Sequence, residues 1–340
     1  MKKLFPLWVL SCLLLTFPAL AQTHGFYWSS SGGLQDIGTL DLNCSPCNSY
    51  ARGINRAGQV VGASGFGFLQ QPYHAMEWTK VGGMLDLGTL GGSGCSNCIS
   101  FATAINSGGA IVGQSNVTGS DAPRAVRWSA TGKIAALPSL AGCGNCASIA
   151  TAINYQGHVV GQVSTAPGVY HAVLWKAGTI QDLGTLGGAS CSACVSTATG
   201  ISTSDEVVGY STTAAGLFHA FSWTQSGGMQ DLNIAGASDN AAYGINKTGQ
   251  IVGEMSNTSS TFAEVWIELA GVHSLASDSV AWAISDANQV VGASGYSGPN
   301  QSAELWRGGT QVNLGTGAGK SSVAYAVNTL TEVVGDVVIQ

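Results

Sequence analysis

Charge is what this chain has least of. Only 9% of its 340 residues are charged, with 12 basic residues against 18 acidic ones. No run of Lys and Arg exists that could track a phosphate backbone, so nucleic acid is excluded as a partner. Long apolar runs are also missing after the first twenty residues. A membrane helix needs roughly 18 uninterrupted apolar residues, so no membrane span is expected. The signature motifs of common catalysts are absent too. There is no G-x-S-x-G, no H-E-x-x-H and no phosphate-binding loop. The acidic residues are scattered, so a paired-carboxylate site is visible nowhere in the linear sequence. No cofactor and no metal site is expected.

The opening, MKKLFPLWVLSCLLLTFPALAQ, has two lysines, an apolar stretch and a small-residue site at Ala19-Leu20-Ala21. That is the pattern of a secretory signal peptide covering residues 1–21, followed by one domain over 22–340. The expected location is secreted or periplasmic. The formal charge of −6 becomes −8 without Lys2 and Lys3. Glycine reaches 48 residues, yet 45% of the chain is apolar, which argues for a packed core rather than disorder.

What is present is repetition. Seven short segments end in tryptophan, at Trp28, Trp78, Trp128, Trp175, Trp223, Trp266 and Trp306. Each is followed by a copy of x-Q-D-L-G, clear in LQDIGTL, MLDLGTL and IQDLGTL and degenerate in KIAALPSL and QVNLGTG. A third element reads ARGIN, ATAIN, ATAIN, ATGIS, AYGIN, AWAIS and AYAVN. A fourth reads VVG or IVG. All four elements are at most eight residues long and rich in Val, Ile, Trp and Ala, which suits strands and not helices. Between the third and fourth elements lie turns such as NRAG, NSGG and NYQG. Their last position is Gly, Asp or Asn, residues that tolerate a left-handed backbone; only Thr331 departs from this.

Each unit therefore predicts two hairpins, or four antiparallel strands. The expected fold is all-β: a seven-bladed β-propeller of four-stranded antiparallel blades, with an open β-solenoid as the alternative. The small residues of A-x-[AG]-I-N suit the innermost strand of a tapering blade. The chain begins on a tryptophan strand and finishes on a Val-Val-Gly strand. A last blade built from 324–340 plus 24–40 is the expected closure.

The blocks HAMEWTKVGGMLDLGTLGG (74–92), HAVLW (171–175) and HAFSWTQSGGMQDLN (219–233) resemble the extracellular HAF-repeat family. The resemblance covers nearly all of the chain after residue 21, though Phe262 and Ser302 replace the histidine in the last two units. It implies an exported repeat protein and supplies no catalytic residues.

Eight cysteines outside the leader form four C-x-x-C pairs: Cys44/Cys47, Cys95/Cys98, Cys143/Cys146 and Cys191/Cys194. No histidine follows the second cysteine, so haem attachment is excluded. Eight cysteines allow 105 pairings, and zinc held between neighbouring loops is a competing reading. An exported chain favours disulfides, and a β-turn brings its first and fourth residues within bridging distance, so local pairs are expected. His24, His74, His171 and His219 share one repeat position and are read as structural hydrogen-bonding groups. Asp36, Asp86, Asp182 and Asp231 are read as turn caps. The seven repeat tryptophans are packing residues. Tyr50, Phe101, Tyr243, Trp282 and Tyr325 stand off that series and are the candidates for an exposed binding face, on the side of the cysteine loops.

The expected function is an exported, non-catalytic scaffold or binding module for a glycan, peptide or cell-surface partner, acting as a monomer. A propeller-type polysaccharide hydrolase or lyase and a structural envelope or matrix component are the alternatives.

Overall fold

The computed structural model describes residues 22–339 apart from 42–46, 66–71, 121, 143–145, 234–236, 257–260, 268–270 and 318, and only the backbone of 262–267 and 271–273. The described residues form 28 strands and no helix, arranged in four-stranded antiparallel sheets. Six sheets are each made of four consecutive strands. The first of these contains Ser49–Ile54, Val60–Gly65, Tyr73–Thr79 and Gly83–Asp86, side by side in chain order. A further sheet takes two strands from each end of the chain. Ser321–Val327 and Val333–Ile339 are joined by Gln22–Ser29 and Gly33–Asp36. Seven residue pairs, from Gln22 opposite Ile339 to Trp28 opposite Val333, form that junction.

Each sheet packs on the next in chain order, and the sheet of both termini packs on the first and last of the other six. The fold is therefore a β-propeller, and the solenoid is excluded because no sheet is left at an open end. In every sheet the A-x-[AG]-I-N strand lies at one side, and it touches its equivalents in both neighbouring sheets. That places it nearest the axis. The Val-Val-Gly strand is second, the tryptophan strand third and the Asp-Leu-Gly strand outermost.

The third letter of Val-Val-Gly has one reason throughout. A Cβ added at Gly62, Gly113, Gly161, Gly209, Gly253, Gly292 or Gly335 would meet a carbonyl oxygen of the inner strand at 1.8–2.0 Å. Any side chain would push the two inner strands apart. The core between blades is made of the two valines before that glycine, the alanine that opens A-x-[AG], and the tryptophans. Trp128, Trp175, Trp223 and Trp306 are buried, while Trp28 and Trp78 are partly covered. The side chain of Trp266 lies outside the described residues. The indole N–H of Trp128 donates to Leu87 O at 2.9 Å, and that of Trp175 to Pro138 O at 2.7 Å, each reaching the preceding blade.

Candidate functional site

Most polar residues of the repeat hold the scaffold together. Each histidine reaches the aspartate of its own blade: His24 with Asp36 at 2.7 Å, His74 with Asp86 at 2.8 Å, His171 with Asp182 at 2.9 Å and His219 with Asp231 at 2.8 Å. The aspartate's other oxygen accepts an amide two residues on, from Gly38, Gly88, Gly184 or Asn233. Burial works to raise Asp36, Asp86 and Asp182, but the histidine and the glycine amide outweigh it and leave all three lowered. The asparagine of A-I-N has two tasks. Asn106 accepts the amides of Gly108 and Ala110 through Oδ1, which closes its turn, and its Nδ2 donates to Asn154 O at 3.1 Å in the next blade. Asn55, Asn154 and Asn328 make the same step to the following blade.

Bridges join Cys95 to Cys98 and Cys191 to Cys194, with Cα atoms 5.4 and 5.3 Å apart. Cys47 and Cys146 are also disulfide-bonded. Cys44 and Cys143 lie outside the described residues. Among the described residues no group of three or more His, Cys, Asp or Glu side chains converges as a metal site. No helix among them is long and apolar enough to cross a membrane.

The site emerges from a bulge. All seven inner strands skip one residue in their pairing with the second strand, always at the letter after the first alanine. A bulge re-aims the side chain of its extra residue. The seven residues so treated are Arg52, Thr103, Thr151, Thr199, Tyr243, Trp282 and Tyr325. All are half-buried on the innermost strand, between alanines and glycines that are mostly buried. Three successive blades spend theirs on the scaffold. Thr103, Thr151 and Thr199 donate to Ala150 O, Ala198 O and Ala242 O of the next inner strand at 2.7–2.8 Å. The other four blades carry large π or cationic groups.

Those groups touch in sequence around the axis. Ring centroids of Tyr243 and Trp282 are 4.4 Å apart, and those of Trp282 and Tyr325 are 5.8 Å apart. The Arg52 guanidinium lies 4.2 Å from the Tyr325 ring and 5.2 Å from the Tyr50 ring. Tyr50 then meets Tyr73 at 5.7 Å, and Tyr73 meets Phe101 at 5.6 Å. All five aromatic candidates named from the sequence belong to this one arc. Their setting differs from the expectation. They are half-buried on the innermost strands and not exposed, and three of them, Tyr243, Trp282 and Tyr325, are bulge residues. Tyr73 and Arg52 were not singled out from the sequence.

Two buried carboxylates support the arc. Asp336 pairs with Arg52 at 2.7 Å and accepts the Ala51 amide at 3.1 Å. Burial outweighs both and lifts its pKa above the ordinary value. Burial also works to lower Arg52, but Asp336 leaves the guanidinium raised. Glu254 accepts the Tyr243 hydroxyl at 2.8 Å on one oxygen, while its Oε2 is buried with no partner. Burial pushes Glu254 up to about 7, against the lowering effect of that hydroxyl. Tyr325 is likewise pushed up to about 12 by burial, and the Trp282 indole nitrogen is buried without a partner.

No family profile and no curated protein sequence matches the chain. Solved structures do. A puromycin hydrolase superposes with a TM-score of 0.59 at 12% identity, over 85% of this chain and 49% of that one. A streptogramin B lyase gives 0.52 at 11% identity, over 93% and 98%. TolB from Acinetobacter baumannii gives 0.47 at 14% identity, over 75% and 63%. The chain thus spans less than two thirds of the TolB chain and about half of the hydrolase. Identities this low carry the propeller fold and nothing of the chemistry.

Proposed function

We propose that the chain is an exported, non-catalytic protein of the HAF-repeat kind, closed into a seven-bladed ring that binds a glycan, peptide or cell-surface partner at its axis. The observation that carries this is the unbroken arc from Tyr243 through Trp282, Tyr325, Arg52, Tyr50 and Tyr73 to Phe101. Aromatic faces take sugar rings and peptide side chains by apolar contact, and a guanidinium adds a fixed donor. The arc fills one side of the axis only. Seven equal blades would not need that asymmetry for stability. The leader sequence and the local disulfides support an oxidising, extracytoplasmic setting.

Glycan and peptide arrays probed with the purified protein test the reading. Binding should weaken at least about tenfold in Trp282→Ala and in Tyr50→Ala, roughly the worth of one good aromatic contact. Binding that survives both substitutions would exclude the arc. Absence of any ligand would favour the purely structural role. Glu254 favours a second reading, a propeller hydrolase or lyase, since a buried carboxyl near 7 with a free oxygen is suited to general acid work. Polysaccharide turnover that disappears in Glu254→Gln would establish it.

A further inference from the structure

The opposite mouth of the axis is a separate place with different chemistry. There the hairpin turns of successive blades surround a cavity of about 300 Å³. Its walls include Ile153, Ile201 and Ile245, the isoleucines of A-I-N, G-I-S and G-I-N, one residue deeper than the turns. Its rim includes Tyr155, Lys247 and Asp286, which hold one equivalent turn position in three different blades.

The rim's polar groups divide into spent and unspent. The asparagine amides of this mouth are committed between blades, Asn154 Nδ2 to Ser202 O at 3.0 Å and Asn246 Nδ2 to Asn288 Oδ1 at 2.8 Å. Asp286 accepts the Lys247 amide at 2.8 Å. Asp205, also at this end, is answered by Lys176 at 2.7 Å and His158 at 2.7 Å. Among the described residues, the Lys247 ammonium and the Tyr155 hydroxyl have no partner. Arg56 occupies the matching turn position in the first blade and is exposed. Of the residues that line the cavity, Lys247 is the one cation and Asp286, whose Oδ1 is taken by the Lys247 amide, is the one anion.

We propose that this cavity is a second binding site, for a small monoanion with an apolar body, such as an aryl or branched-alkyl carboxylate. The body rests on the three isoleucines, and the carboxylate accepts from the Lys247 ammonium and the Tyr155 hydroxyl. The volume stands at the lower end of small-molecule sites, which begin at about 300 Å³, so the ligand is about the size of a bicyclic aromatic acid. A cation is disfavoured by the Lys247 ammonium, the one cationic group in the lining. A neutral ligand of the same shape lacks the charge-assisted hydrogen bond.

Titration calorimetry with 2-naphthoate and its uncharged carboxamide provides the test. The acid should bind at one site per chain and at least about tenfold more tightly than the amide, the expected worth of a charged hydrogen bond. Lys247→Glu should abolish that preference, and Lys133→Glu, on a remote outer turn, should leave it. Lys247 is exposed, so unchanged melting of Lys247→Glu is expected and separates loss of the site from loss of the fold. Equal affinity for acid and amide, no binding of either, or an undiminished preference in Lys247→Glu would each overturn the proposal. Trp282→Ala, at the aromatic arc, should not change naphthoate binding; if it does, the acid sits on the arc and the cavity is not the site.

Discussion

Glu254 is an ionisable group in a place that disfavours its charge. It is 3% exposed, one oxygen serves Tyr243, and the other has no partner. Its folded pKa of about 7 lies above the ordinary 4.5. A raised acid binds its proton more tightly when folded, so its contribution to stability is full below about 4.5. That contribution falls as pH rises toward 7 and is lost above it. Gln has the same shape and can still accept from Tyr243. Glu254→Gln should therefore flatten stability between about pH 4.5 and 7, and gain on the order of 2 kcal/mol near pH 8. Chemical denaturation of both proteins across that range checks it. A Glu254→Gln protein no more stable than the parent near pH 8 would show that the carboxylate is solvated or paired after all. The aromatic neighbours of this residue were visible in the sequence only as names that did not fit the tryptophan series. Nothing in the one-dimensional pattern says that a bulge turns the residue after the alanine toward the axis.

At the scale of strands and turns, the four-element repeat was legible because its spacing follows from geometry. Tight turns demand left-handed residues, and paired strands demand β-branched ones. The serine that begins most inner strands was missed. Ser49, Ser100, Ser148, Ser196 and Ser322 accept an amide of the preceding blade at 2.8–3.0 Å. A serine before an alanine has no distinctive local pattern, and its partner lies 19 to 25 residues away. The turn at Thr331 is the opposite case, a visible departure whose outcome the sequence left open. It adopts φ 64°, like Gly58 at 76° and Asn288 at 58° in the same position. A β-branched residue there carries steric strain of about 1 kcal/mol. Its hydroxyl accepts from Gln289 of the preceding blade, a role that an asparagine side chain can keep. Thr331→Asn should thus raise the melting temperature by a few degrees. An unchanged or lower value in differential scanning calorimetry would mean that the turn relaxes its strain elsewhere.

For the whole molecule the decisive feature is the shared blade. Gln22–Ser29 pairs with Val333–Ile339, and Tyr27 donates to Glu332 at 2.5 Å across 305 positions of chain. Removing residues 24–28 takes away the strand that completes this sheet and exposes the edge of its neighbour. The shortened chain should unfold at clearly lower denaturant, with loss spread over the ring and not confined to one blade. Unfolding at the parent's midpoint would mean that the remaining blades hold without the junction. The same pairing also sets an order of events. Gln22–Ser29 leaves the ribosome about 300 residues ahead of its partner, Val333–Ile339. Until that partner is made, it waits with a bare edge. Contacts so distant in sequence form slowly, because a very long loop must close first. A chain interrupted before Val333–Ile339 lacks the seal and leaves the edge of Gln22–Ser29 bare.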